Sequence, residues 1–167
     1  GDFIPAGSAQ TTRVPVLLGA NYDEASAFSP VWNLATLDEY KKYLATRFTQ
    51  SAPDFEKMYP AKSDSDVPST IRRLLADASL IGILNWADGR GKKAAPAYGY
   101  RFTHAEPGPL AEQFQSFHSA EIPYVFGTLD VGNRPFTSVD RQLSHTVQRY
   151  WVNFIKTGNP NGSGLPD

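Results

Sequence analysis

The chain has 167 residues and a formal charge of −1, with 16 Lys and Arg against 17 Asp and Glu. At 41% apolar and 20% charged residues it reads as a globular domain, and the even charge balance argues against a dedicated nucleic-acid binder, which needs a basic stripe. The lack of cysteine excludes a disulfide framework, a thiolate zinc site and a cysteine nucleophile together.

Residues 14–19 (Val-Pro-Val-Leu-Leu-Gly) form a continuous apolar run. Such a run predicts a strand buried on both faces, as in a parallel sheet. Asn21, Tyr22, Asp23 and Glu24 follow at its C-terminal end. Leu37, Tyr40, Leu44 and Phe48 share one helical face, with Thr36 as N-cap and Glu39 at the capping-box position. A second short helix is expected over 53–59, stopped by Pro60. A longer helix is expected over 67–89, with a break near Gly82. The most apolar uncharged window of the whole sequence, 78–87, is far shorter than the ~20 residues of a membrane span. The alternating aromatics at 97–103 predict a second strand. A Pro/Gly-containing loop follows at 105–117. Thr137 caps a last helix to about Thr157, with Val139, Leu143, Val147, Tyr150, Trp151, Phe154 and Ile155 on its apolar face. Gly158 and Pro160 end it.

Two strands among about five helices do not make an independent parallel sheet, because backbone edges and an apolar face stay uncovered. The expected fold is therefore α/β with an incomplete sheet. The chain opens Gly1-Asp2-Phe3-Ile4-Pro5 without a Met and closes in a Gly-Ser-Gly-Leu-Pro-Asp stretch. Together these lead us to expect one piece of a longer polypeptide. Its localisation, exported or cytoplasmic, is left open.

The candidate chemistry rests on few residues. His104 ends the second strand, His145 lies in the last helix between Arg141 and Arg149, and His118 sits in a loop. A loop histidine alone is a weak signal, more often a surface or hydrogen-bonding group than a catalytic one. Glu24 follows a buried strand, where α/β folds place functional groups, and a turn carboxylate is the plainer alternative. The order of strand, acid, helical excursion, strand and histidine matches the later part of the Ser…Asp/Glu…His order of α/β-hydrolases. No Gly-x-Ser-x-Gly occurs in the chain, and no Gly-rich oxyanion loop.

Several segments, in order along the chain, resemble type B carboxylesterases, the carboxylesterase/cholinesterase branch of the α/β-hydrolases. GDFIP at 1–5 is similar to the family's DGxFxP, and VPVLLGANYDEASAF at 14–28 to its strand and acid loop. Asp77 with YGYRFTH at 98–104 resembles the D…Y.Y.F.h segment. HSAEIPYVFG at 118–127 resembles the histidine motif HgxElpyVFG, and WVNFIKTGNPN at 151–161 the C-terminal W.nFaktGnPN. Ala25 replaces the usual Gly after the acid, and Ser119 a frequent Gly after the histidine. The segment after Asp77 lacks the usual Phe and Pro.

The resemblance implies the C-terminal part of an α/β-hydrolase domain over 1–167, with residues 30–95 as a helical excursion. It implies Glu24 as catalytic acid, His118 as catalytic base, Phe28 as substrate-lining and Glu121 as part of a supporting network beneath the histidine. Trp32 and Trp86 are candidate pocket walls. The implied activity is hydrolysis of a small-molecule carboxylic ester by a Ser-His-Glu triad, without metal or organic cofactor. The serine and oxyanion hole would come from the remaining N-terminal part, and this chain alone would be inactive. A non-catalytic binding or adhesion module of the same fold is the alternative, and an independent helical domain a third reading.

Overall fold

A computed structural model describes residues 14–91, 94–162 and 164–165. The motif at 1–5 and part of the closing stretch lie outside them. The architecture is mixed α/β. Strands β1 (Val16–Asn21) and β2 (Ala97–Phe102) pair as a two-stranded parallel sheet. Between them run α1 (Leu37–Phe48), α2 (Ala52–Met58) and α3 (Val67–Gly89). After β2 come α4 (Ala111–Phe114), α5 (Ile122–Phe126) and α6 (Ser138–Thr157). This is consistent with part of an α/β-hydrolase fold.

The described residues group into two units. One comprises Asn21–Ser79 with Thr103–Ala120; the other takes the described residues among 14–20, 80–102 and 121–165. In the first, α1 starts on the expected capping box: Thr36 Oγ1 accepts from the Glu39 N–H, and the Glu39 carboxylate accepts from the Thr36 N–H at 3.1 Å. Tyr40 and Leu44 from α1 then pack on Val67, Ile71 and Leu74 from α3, each 2% exposed or less. The Phe48 and Phe55 rings stack at a centroid distance of 3.6 Å and extend this cluster.

Tyr40 makes the cluster sensitive to alkali. Its hydroxyl donates to the Tyr59 carbonyl at 2.6 Å, and burial pushes its pKa up to about 12. Burial also raises Tyr43 and Tyr59. The unfolded phenol ionises near ~10, so stability is intact below that pH and is lost as pH rises towards the folded value. We expect the melting temperature to fall between about pH 10 and 12, and less steeply in Tyr40→Phe. Circular dichroism melts across that range check this; a flat wild-type profile would contradict it.

In the second unit, Tyr100 of β2 lies over Gly19 of β1, where any Cβ would overlap its ring. Trp151 of α6 meets Tyr100 edge-on at 4.9 Å, and Phe154 meets Tyr98 at 6.2 Å. Helix α6 starts on a Thr137–Asp140 capping box, and the Asp140 carboxylate also accepts from the buried Tyr124 hydroxyl at 2.7 Å. Gly158 closes α6 at φ 75°, the left-handed conformation expected of a C-terminal glycine.

Four sequence expectations are corrected. The first strand begins at Val16, because Pro15 has no N–H for the ladder; the Val16 N–H makes the first bond, to the Pro96 carbonyl. Helix α2 runs Ala52–Met58, and Tyr59 before Pro60 leaves the helical region. Helix α3 runs unbroken through Gly82. One interior glycine costs only ~1 kcal/mol, too little to divide 23 helical residues. The one-turn helix α4 interrupts the expected loop, and α5 follows it unannounced; both are too short to show periodicity.

Candidate active site

Where β1 ends, the chain turns through Tyr22–Phe28, and this turn faces the segment that ends at His118. Asp23 and Phe117 form an isolated parallel bridge, with the Asp23 N–H donating to the Ser116 carbonyl at 3.2 Å. Asn21 Nδ2 donates to the Phe117 carbonyl and Ser26 Oγ to the Phe114 carbonyl, each at 2.7 Å. The two segments are thus stitched at several points on either side of the acid.

The stitching brings Glu24 to His118 from 94 residues away. Glu24 Oε2 lies 2.6 Å from His118 Nδ1, and Oε1 accepts the Asn21 N–H at 2.7 Å. An ionised carboxylate only accepts, so the bond assigns the proton to Nδ1 and leaves Nε2 as the basic nitrogen. Among the described residues Nε2 has no partner, and the His118 side chain is 59% exposed against 26% for Glu24. An anchored acid, an oriented imidazole and an open basic nitrogen are what base catalysis requires.

Phe28 meets the His118 ring edge-to-face at 5.5 Å and is itself largely exposed. Glu121 lies in the other unit, where its carboxylate accepts from the Tyr100 hydroxyl at 3.5 Å. Trp32 lines a cleft of about 660 Å³ together with Tyr22, Arg72 and Gln115; Glu24, His118 and Phe28 are not among its walls. Trp86 belongs to the other unit, half exposed, with the Arg90 guanidinium 5.4 Å from its ring centre.

Asp23 was not anticipated. It is 1% exposed and accepts from Arg72 Nε at 2.5 Å, Arg72 Nη2 at 3.1 Å, the Ser116 hydroxyl at 2.7 Å and the Ser116 N–H at 3.1 Å. No local pattern flags it, because its partners Arg72 and Ser116 lie 49 and 93 residues away in sequence.

Ser119, directly after the histidine, has φ 75°. A side chain there costs about 1–2 kcal/mol, partly offset by the entropy a serine saves in the unfolded chain. Ser119→Gly should therefore raise stability by about 0.5–1 kcal/mol and the melting temperature by about 1–3 °C. Scanning calorimetry measures this directly, and a lower melting temperature would refute it.

Among the described residues no group of three or more His, Asp or Glu is arranged to hold a metal ion, and no helix is long and apolar enough to cross a membrane. The carboxylesterase family model matches residues 2–167. The chain is 35% identical over 158 residues to a fumonisin B1 esterase of Sphingopyxis macrogoltabida, covering 89% of this chain and 29% of that protein. It is 31% identical over 162 residues to a para-nitrobenzyl esterase of Bacillus subtilis, covering 89% and 30%. A human cocaine esterase is 42% identical over 77 residues, covering 43% of this chain and 14% of that protein. The chain thus spans about three-tenths of the length of the first two relatives.

Proposed function

The chain belongs to the carboxylesterase family, and we propose that it supplies the acid and the base of a serine carboxylic ester hydrolase, Glu24 and His118. The observation that carries this reading is the 2.6 Å bond between Glu24 Oε2 and His118 Nδ1, with Nε2 left open. The nucleophile is a serine outside these 167 residues, since no Gly-x-Ser-x-Gly occurs in them. The same missing part carries the oxyanion hole. Exposed apolar side chains on α3 (Ile81, Leu84, Trp86) and on α6 (Val139, Val152, Ile155) support further protein covering this unit.

The serine hydroxyl oxygen attacks the ester carbonyl carbon, and its proton passes to His118 Nε2. Glu24 stabilises the resulting imidazolium. The tetrahedral intermediate collapses, the carbon–oxygen bond to the alcohol breaks, and the leaving oxygen takes the proton from Nε2. Water then attacks the acyl-enzyme, giving its proton to Nε2. Collapse of the second intermediate releases the carboxylic acid and returns the proton to the serine. Phe28, beside the imidazole, walls the substrate, a small-molecule carboxylic ester.

The test joins a fluorophosphonate probe to p-nitrophenyl butyrate turnover in the full polypeptide or complex that carries this chain. Turnover with the label on a serine outside the chain is expected. A label on a serine within it would overturn the placement of the nucleophile. Neither label nor turnover, in protein that contains such a serine, would favour the non-catalytic binding module.

A further inference from the structure

The catalytic reading leaves one buried charge unused. Asp23 sits beside Glu24 in sequence, and its partners come from two other places. Ser116, two residues before His118, gives its hydroxyl and its N–H. Arg72 gives two nitrogens from α3, one residue beyond Ile71, which is fully buried in the helical cluster. The Arg72 guanidinium also lies 5.1 Å from the Tyr22 ring centre, so it meets the first two residues of the acid turn.

We propose that Asp23 is a positioning residue that clamps the acid turn and the histidine segment to α3, setting the Glu24–His118 distance. The proposal rests on the reading of Glu24 and His118 as the catalytic pair. Three features support it. A carboxylate at 1% exposure loses its hydration, and an ion pair with one member buried and Arg72 still 37% exposed adds little net stability over an apolar substitute, so its gain lies in defined geometry. The arginine contact uses two nitrogens on two carboxylate oxygens, which fixes orientation as well as distance. The remaining bonds fall on Ser116, within two residues of the imidazole. The helices between the strands therefore act on the site: α3, packed by Val67, Ile71 and Leu74, is the element to which the two segments are tied.

The experiment compares Asp23→Asn, Arg72→Lys and Ser116→Ala in the full active protein, with His118→Ala as control. Turnover of p-nitrophenyl butyrate gives kcat and KM, the downfield proton resonance of His118 Nδ1–H reports the Glu24 bond, and thermal melts report folding. Displacing catalytic groups by about 1 Å costs roughly 10²-fold in rate, so Asp23→Asn should lose about that in kcat. KM should change little, and the Nδ1–H resonance should shift or broaden. Arg72→Lys keeps the charge but loses the fork, and should lose less, about tenfold. Ser116→Ala removes one hydrogen bond and should lose about two- to tenfold.

Unchanged kcat and an unchanged resonance in folded Asp23→Asn would overturn the clamp. Should Asp23→Asn not fold, wild-type kcat and resonance in both Arg72→Lys and Ser116→Ala would overturn it equally. If instead His118→Ala keeps full turnover, the catalytic reading fails. The resonance would still decide whether Asp23 sets the Glu24–His118 distance.

Discussion

His118→Ala in the complete enzyme should lower kcat by roughly 10⁴–10⁶-fold, with KM changed far less. The loss follows from what Nε2 does in each half of the reaction. It takes the serine proton, gives one to the leaving alcohol, and repeats both roles with water. No other described side chain stands in that place, because the Glu24 carboxylate is held on the opposite nitrogen. Residual turnover would come from substrate binding and the oxyanion hole, which the substitution leaves intact. Single-turnover and steady-state assays of a p-nitrophenyl ester measure the effect, and a loss below tenfold would remove His118 from the mechanism.

The local parts of this site and fold were legible in the sequence, and the long-range parts were not. Thr36 and Glu39 announced the start of α1 and Gly158 the end of α6, because capping is settled by residues within one turn. The apolar run before Asn21 gave β1 to within two residues, and the missing N–H of Pro15 accounts for its later start. Glu24 and His118 stood out through motif order. From residue type alone both had plainer readings. The Asp23 clamp left no such trace: its partners lie 49 and 93 residues away, and no periodicity links them. Nor did spacing place Trp32 and Trp86, which the fold puts in separate units.

Glu24→Gln carries the second large effect, and its cause differs from that of losing the base. Gln has the same shape, with one oxygen replaced by an NH₂. The Asn21 N–H points at the Oε1 position at 2.7 Å and needs an acceptor, so it fixes the amide oxygen there. The NH₂ is then turned to His118 Nδ1, 2.6 Å away in the native pair, where two donors would meet. The imidazole escapes this conflict by moving its proton to Nε2, the nitrogen that must accept the serine proton. In other triads the equivalent acid-to-amide change lowers kcat by ~10⁴-fold with little change in structure, and the same order is expected here. Glu24→Asp should lose less: it keeps the charge and the acceptor, while the shorter side chain lengthens the bond. Proton resonances of His118 separate the two variants, since Nδ1–H should disappear in Glu24→Gln and persist in Glu24→Asp. Equal kcat in wild type and Glu24→Gln would show that the 2.6 Å contact does not choose the tautomer on which catalysis depends.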